Sequence, residues 1–170
     1  TGGLQWAANS TTDISAINIL LSAGGGTLDT NGNNVTLTNP IGLGGGGDLI
    51  KSGNGVLTLS ASNDGNITGN VVINGGTSNG TLSGVSFTND LQLGSVPVTP
   101  SYSLTLNGGT LIAGGNVTLS GNREINIGNG SAGNFTGTFD IPTGTTMTFS
   151  SVIADNGAST GQFIVQGGGT

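Results

Sequence analysis

The 170-residue chain contains no cysteine and no histidine. Without cysteine there is no disulfide framework and no thiolate metal site. Without histidine the commonest general base at neutral pH is missing. Positive charge is almost as scarce. Lys51 and Arg123 are the only basic residues, against 8 acidic ones, for a net charge of −6. Two cations cannot neutralise a run of phosphates, which argues against nucleic-acid binding and against an anionic lipid surface. Long apolar runs are missing too. The longest, Ala16 to Ala23, is interrupted by Asn18 and Ser22, far short of the roughly 20 residues that span a bilayer. No charged-then-apolar leader opens the chain, so any export signal is expected outside it.

What is present is glycine, 35 of them, with regularly spaced Val, Ile and Leu and only 6% charged residues. A disordered chain usually carries more charge and fewer aliphatics. Apolar and polar residues alternate over short stretches, as in Val56-Leu57-Thr58-Leu59 and Val71-Val72-Ile73. Period two places one row of side chains inside and one outside, the pattern of a strand. Turns rich in Gly, Asn and Asp follow each run too closely for helices to form between them. Asn31-Gly32 is the strongest such signal, because both residues tolerate positive φ.

Asp48 to Thr77 carries this pattern most fully. With Leu49, Lys51, Gly53, Gly55, Leu57, Leu59, Ser60, Asn63, Thr68-Gly69, Ile73 and Gly76-Thr77, it resembles the autotransporter-associated β-strand repeat of large bacterial surface proteins. The resemblance covers most of the chain, best at 27–77 and 110–170 and least at 78–103. It implies a right-handed parallel β-helix in an extracellular passenger segment, carried outward by a separate C-terminal translocator barrel.

The expected fold is all-β: a parallel β-solenoid with Gly- and Asn-rich turns, one segment over residues 1–170. An antiparallel sandwich is the competing architecture, since it also has short strands and Gly/Asn turns. A strand is expected over Ile14–Leu21. Pro97 and Pro100 predict a less regular excursion at about 82–103, protruding from the body. Leu28–Ile41 aligns with Phe139–Ile153, and Leu49–Gly55 with Phe163–Gly169, at offsets of 111 to 114 residues, which reads as a repeated unit. Inward aliphatics should stack from coil to coil, with Asn side chains in ladders at the turns. No capping helix or polar terminal coil is evident. The chain is therefore expected to be one unit of a longer array, or a subunit whose copies stack end to end; a capped monomer is the alternative.

No catalytic, cofactor or metal residues are assigned, and no ligand-binding residue is identified. The carboxylates Asp13, Asp29, Asp48, Asp64, Asp90, Glu124, Asp140 and Asp155 mostly adjoin turn residues, where turn and cap roles explain them. A glycosidase pair would need two of them on adjacent coils. Asn63-Asp64-Gly65-Asn66 is too poor in carboxylates for calcium. Gly42 to Gly47 lacks the Lys-Ser/Thr of a phosphate loop. Asn-x-Ser/Thr at Asn9, Asn34, Asn66, Asn79, Asn116, Asn129 and Asn134 is expected by chance in such a composition. The Thr36/Thr38 and Thr146/Thr148 pairs do not recur in every coil, as an ice-binding face would require. The expectation is a non-enzymatic, extracellular stalk or fibre-forming subunit of a bacterial adhesin or matrix, partnered by copies of itself. The alternative is a module that grips a glycan or host protein through a lateral face or the 82–103 excursion.

Overall fold

The computed structural model describes residues 2–75 and 82–170; Gly76-Thr77 and Asn79, singled out above, lie outside the described residues. The period-two alternation becomes short strands. These are β1 Gly2–Gln5, β2 Gly26–Asp29, β3 Val35–Leu37, β4 Leu49–Ser52, β5 Gly55–Leu59, β6 Val71–Asn74, β7 Ser83–Phe87, β8 Ser101–Asn107, β9 Thr110–Ala113, β10 Val117–Thr118, β11 Arg123–Asp140, β12 Met147–Thr148 and β13 Ile153–Gln166. In β4, Leu49 and Lys51 are buried while Ile50 and Ser52 are half-buried, as alternation demands.

Every strand pair is parallel. The strands stack as a β-solenoid of about six turns, with 48% of residues in strands. Parallel neighbours across the whole stack exclude the antiparallel sandwich. The first side of the coil is β1, β2, β4, β6, β8 and the opening halves of β11 and β13. The second is β3, β5, β7, β9 and the closing halves of β11 and β13. The third side is mostly irregular, joined by β10 with β12 and by the Leu20–Gly42 bridge.

The inward residues form columns. Gly26, Leu49, Val71, Leu104, Ile125 and Ile153 stack on the first side. Val35, Leu57, Val85, Leu111 and Phe139 stack on the second. Leu49, Leu57, Val71, Val85, Leu104, Leu111 and Ile125 are all 0% exposed. Each such residue contributes ~1.5–3 kcal/mol by burial, and only because the coils on either side are present.

From a second-side column to the next first side the chain takes 14 residues in four coils (Val35 to Leu49, Leu57 to Val71, Leu111 to Ile125, Phe139 to Ile153) and 19 in one (Val85 to Leu104). The corner between the first and second sides varies more, from 7 residues (Leu104 to Leu111) to 14 (Ile125 to Phe139). Asn31-Gly32, with φ of +49° and +84°, turns that corner between strands on different sides. It therefore makes a solenoid bend, not a hairpin.

The structure departs from the sequence reading in four places. Residues 14–21 are not a strand: only Leu20 makes a bridge. Asp13 accepts from both the N–H and the hydroxyl of Ser15, closing a turn there, and Ile17 and Leu20 are exposed. Second, the stretch at 82–103 is mostly built into the coils. It holds β7, a 3-10 helix at Asp90–Leu93 and the start of β8, with Gln92 and Leu93 buried. Its longest exposed run is Val98–Tyr102, where Val98 is 96% exposed. Third, the aligned copies are one side out of phase: Leu28 and Leu49 lie on the first side, Phe139 and Phe163 on the second. Fourth, one end is partly covered. Trp6, 4% exposed, donates from Nε1 to the Thr12 carbonyl, and Asn31 and Asn33 donate to the carbonyls of Trp6 and Ala7. Residues 6–15 thus lie over the outer edge of β3, where Asp13 accepts the Thr38 N–H.

Candidate functional site

Both basic residues of the chain are inside it. Lys51 is 0% exposed and occupies the column position that Leu28 fills in the coil before and Ile73 in the coil after. Its stem is aliphatic enough to replace a leucine, and only the ammonium needs partners. The chain supplies them at the next corner. Gly53, at φ +68°, turns the backbone so that Nζ donates to the carbonyls of Ser52 and Gly53, both at 2.8 Å, and to Ser83 Oγ at 3.4 Å. Burial pushes the ammonium down from 10.5 to about 8, against the opposing pull of the Asp29 carboxylate.

Arg123 is 1% exposed and pairs through Nε with Asp90 Oδ1 at 2.7 Å. Nη2 donates to the Gly94 carbonyl at 2.9 Å and to the Asp90 carbonyl at 3.3 Å, and Nη1 to Ser103 Oγ at 3.4 Å. The guanidinium fork thereby ties the 3-10 helix to the first side. Asn89 and Gln92 close that helix on itself: Asn89 Oδ1 accepts from Leu91 N, and Gln92 Oε1 from the N–H groups of Thr88 and Asn89.

With both cations enclosed, the described side-chain surface carries carboxylates and no basic group. Most of the acids hydrogen-bond to local partners. Asp13 bonds Ser15 and Thr38, and although partial desolvation works against ionisation, these four hydrogen bonds outweigh it and hold the carboxyl at about 2 instead of 3.8. Asp29 accepts from Gln5 Nε2 at 2.9 Å and Asn31 N at 2.8 Å, Asp48 from Asn70 N at 2.7 Å, and Asp155 from Gly161 N at 2.8 Å. Asp64 lies on the third side and Asp140 on the second, three coils apart, which is roughly 14 Å at the spacing of parallel strands. Among the described residues no three of His, Cys, Asp or Glu are grouped to hold a metal ion.

The remaining motifs serve the stacking of coils. Asn63, 1% exposed, accepts the Ile41 N–H at 2.8 Å and donates to the Gln92 carbonyl at 2.6 Å, stapling three successive coils. The glycines at 42–47 let backbones meet: a Cβ on Gly42 would lie 2.4 Å from the Asn66 oxygen, and on Gly47 1.7 Å from that of Ser22. Asn34 and Asn116, both in Asn-Val-Thr, each accept an N–H from the next coil, of Val56 and Thr146, at 2.9 Å. Among the described residues the expected asparagine ladder is present as one rung, Asn107 Nδ2 to Asn74 Oδ1 at 2.9 Å. Thr36 pairs with Thr58, but the column continues as Ser86 and Ile112, which breaks the regular threonine array.

The surface has several concave features. At the corner between the first and second sides, Gln5, Asp29, Asn31, Ser52, Asn54 and Asn74 line an open polar groove of about 460 Å³, directly outside the Lys51 ammonium. The Asn54 Oδ1 atom there is buried without a hydrogen-bond partner among the described residues. The groove offers amides, one carboxylate and no aromatic face. No protein-family model, curated protein or solved structure matches the chain.

Proposed function

We propose that the chain is a non-enzymatic structural element of a bacterial surface, a rigid solenoid stalk or fibre-forming subunit in an extracellular adhesin or matrix. The observation that carries this reading is the stack of inward, mostly aliphatic columns that runs from coil to coil. A rod of this kind resists bending because each coil's core is completed by its neighbours. Further support comes from β1 and β13, which each have one hydrogen-bonded strand neighbour and so present backbone groups that another parallel strand can pair. The resemblance of Asp48–Thr77 to surface-protein repeats points the same way.

A second reading is a module that binds a glycan or host protein sideways, favoured by the polar groove at Asp29, Asn31 and Asn54 and by the exposed Val98 loop. Negative-stain microscopy over a concentration series separates them. Rods that lengthen with concentration support the structural reading. Single short particles at every concentration that bind a glycan array support the second and overturn the first.

A further inference from the structure

Seven Asn-Gly dipeptides occur in the chain, at Asn31, Asn54, Asn74, Asn79, Asn107, Asn129 and Asn156, and all but Asn79 lie within the described residues. The six described ones fall at the corner between the first and second sides. Asn-Gly is the peptide bond most prone to self-cyclisation, because glycine puts no side chain in the way of its own nitrogen. Reaction needs two freedoms: the glycine nitrogen must leave its hydrogen bond, and the asparagine amide must be able to swing onto it.

Coil stacking removes the first freedom at most corners. The N–H of Gly32 donates to Asn54 O, that of Gly55 to Leu82 O, that of Gly75 to Asn107 O and that of Gly108 to Thr136 O, all at 2.7 to 2.8 Å. At Asn156 the amide itself is held, donating to the Gly128 carbonyl at 3.0 Å. Asn129–Gly130 differs on both counts. The Gly130 N–H donates to a side chain, Ser159 Oγ, at 3.1 Å. Asn129 is exposed and its Nδ2 has no hydrogen bond among the described residues; its Oδ1 accepts from Ser131 N at 2.9 Å. This corner lies in the extended β11–β13 flap, where the strand register already shifts on either side of Gly130.

We propose that Asn129–Gly130 is a self-modification site, which deamidates while the other described corners stay protected. The deprotonated Gly130 nitrogen attacks the Asn129 amide carbon, a ring C–N bond forms and ammonia leaves. Water then opens the cyclic imide to aspartate or isoaspartate. Only water is consumed. The product adds a carboxylate to a described surface without basic side chains, and the isoaspartate's extra backbone atom falls where pairing is already irregular.

Peptide mapping of the folded chain, incubated at mildly alkaline pH, tests this directly. The expected result is conversion at Asn129 about tenfold or more faster than at Asn31, Asn54, Asn74 or Asn107, since these must first open locally. In the urea-unfolded chain the rates should converge. Ser159→Ala should raise the rate at Asn129 alone, and Asn129→Gln should remove the fast site. The proposal is overturned if Asn129 reacts no faster than those four in the folded chain, if Asn156 reacts first, or if the advantage of Asn129 persists after unfolding.

Discussion

Lys51 Nζ lies 2.8 Å from the carbonyl oxygen of Gly53, inside a column where Leu28 precedes it and Ile73 and Leu106 follow. The ammonium is therefore bought at a cost of desolvation, and its depressed value of about 8 against 10.5 reports that cost. Below about pH 8 both folded and unfolded chains hold the proton, and the cost is fully present. Between about 8 and 10.5 the unfolded chain still binds a proton that the folded chain releases, so stability rises with pH. The rise has an upper bound of about 3 kcal/mol. Urea unfolding of the wild type and Lys51→Met across this range should show it in the wild type only. At pH 7 the variant should be at least as stable as the wild type, since a buried charge is replaced by a well-packed apolar chain. A loss above ~1 kcal/mol would show that the hydrogen bonds to Ser52 and Gly53 outweigh desolvation.

Asp90 and Arg123 behave differently, because each removes the other's charge. Asp90→Asn leaves a guanidinium at 1% exposure without its carboxylate. The expected loss is ~3–5 kcal/mol, read from the thermal or urea midpoint. A loss below ~1 kcal/mol would mean that the carbonyls of Asp90 and Gly94 suffice to hold Arg123.

Gly55 and Gly144 make a controlled pair. Both have positive φ, +91° and +81°, but a Cβ on Gly55 would lie 2.1 Å from the Asn33 oxygen, whereas Gly144 has nothing within 4 Å. Alanine at either position costs ~1–2 kcal/mol for the backbone conformation. Only Gly55→Ala also separates two coils, so its unfolding midpoint should fall well below that of Gly144→Ala. Equal losses would contradict the close stacking at this corner.

Asp13 sets the acid side. Its carboxyl is held at about 2 in the folded chain and titrates at 3.8 otherwise. Its contribution is present above about pH 4 and is lost as pH falls from there through about 2. Asp13→Asn should therefore be less stable than the wild type at neutral pH, with the difference shrinking as the pH is lowered through that window. A difference independent of pH would remove the carboxylate from the account of the covered end.

Much of this was legible in the residues. Alternation around Val56–Leu59 and Val71–Ile73 gives the strands, and the spacing of Gly and Asn gives the corners. Even the buried cations follow from period two: Lys51 is in phase with Leu49, and Arg123 with Ile125 and Ile127. What misled was phase along the chain. Leu28–Ile41 and Phe139–Ile153 share a strand-turn-strand grammar, so they align well although they occupy different sides of the coil. The apolar run at 14–21 suggested a strand because its β-branched residues outweigh its turn residues locally. Yet in the structure Asp13 and Ser15 fix a turn there. The staple through Asn63 was not legible, because its partners lie 22 and 29 residues away and corner lengths vary between coils.

Shear-aligned diffraction from a concentrated sample puts the proposed stacking to its hardest trial. If solenoids join end to end through their aliphatic columns, the strand-spacing reflection near 4.8 Å must lie along the long axis of the aligned particles. The same reflection lying across that axis, or no alignment at any concentration, would contradict the account.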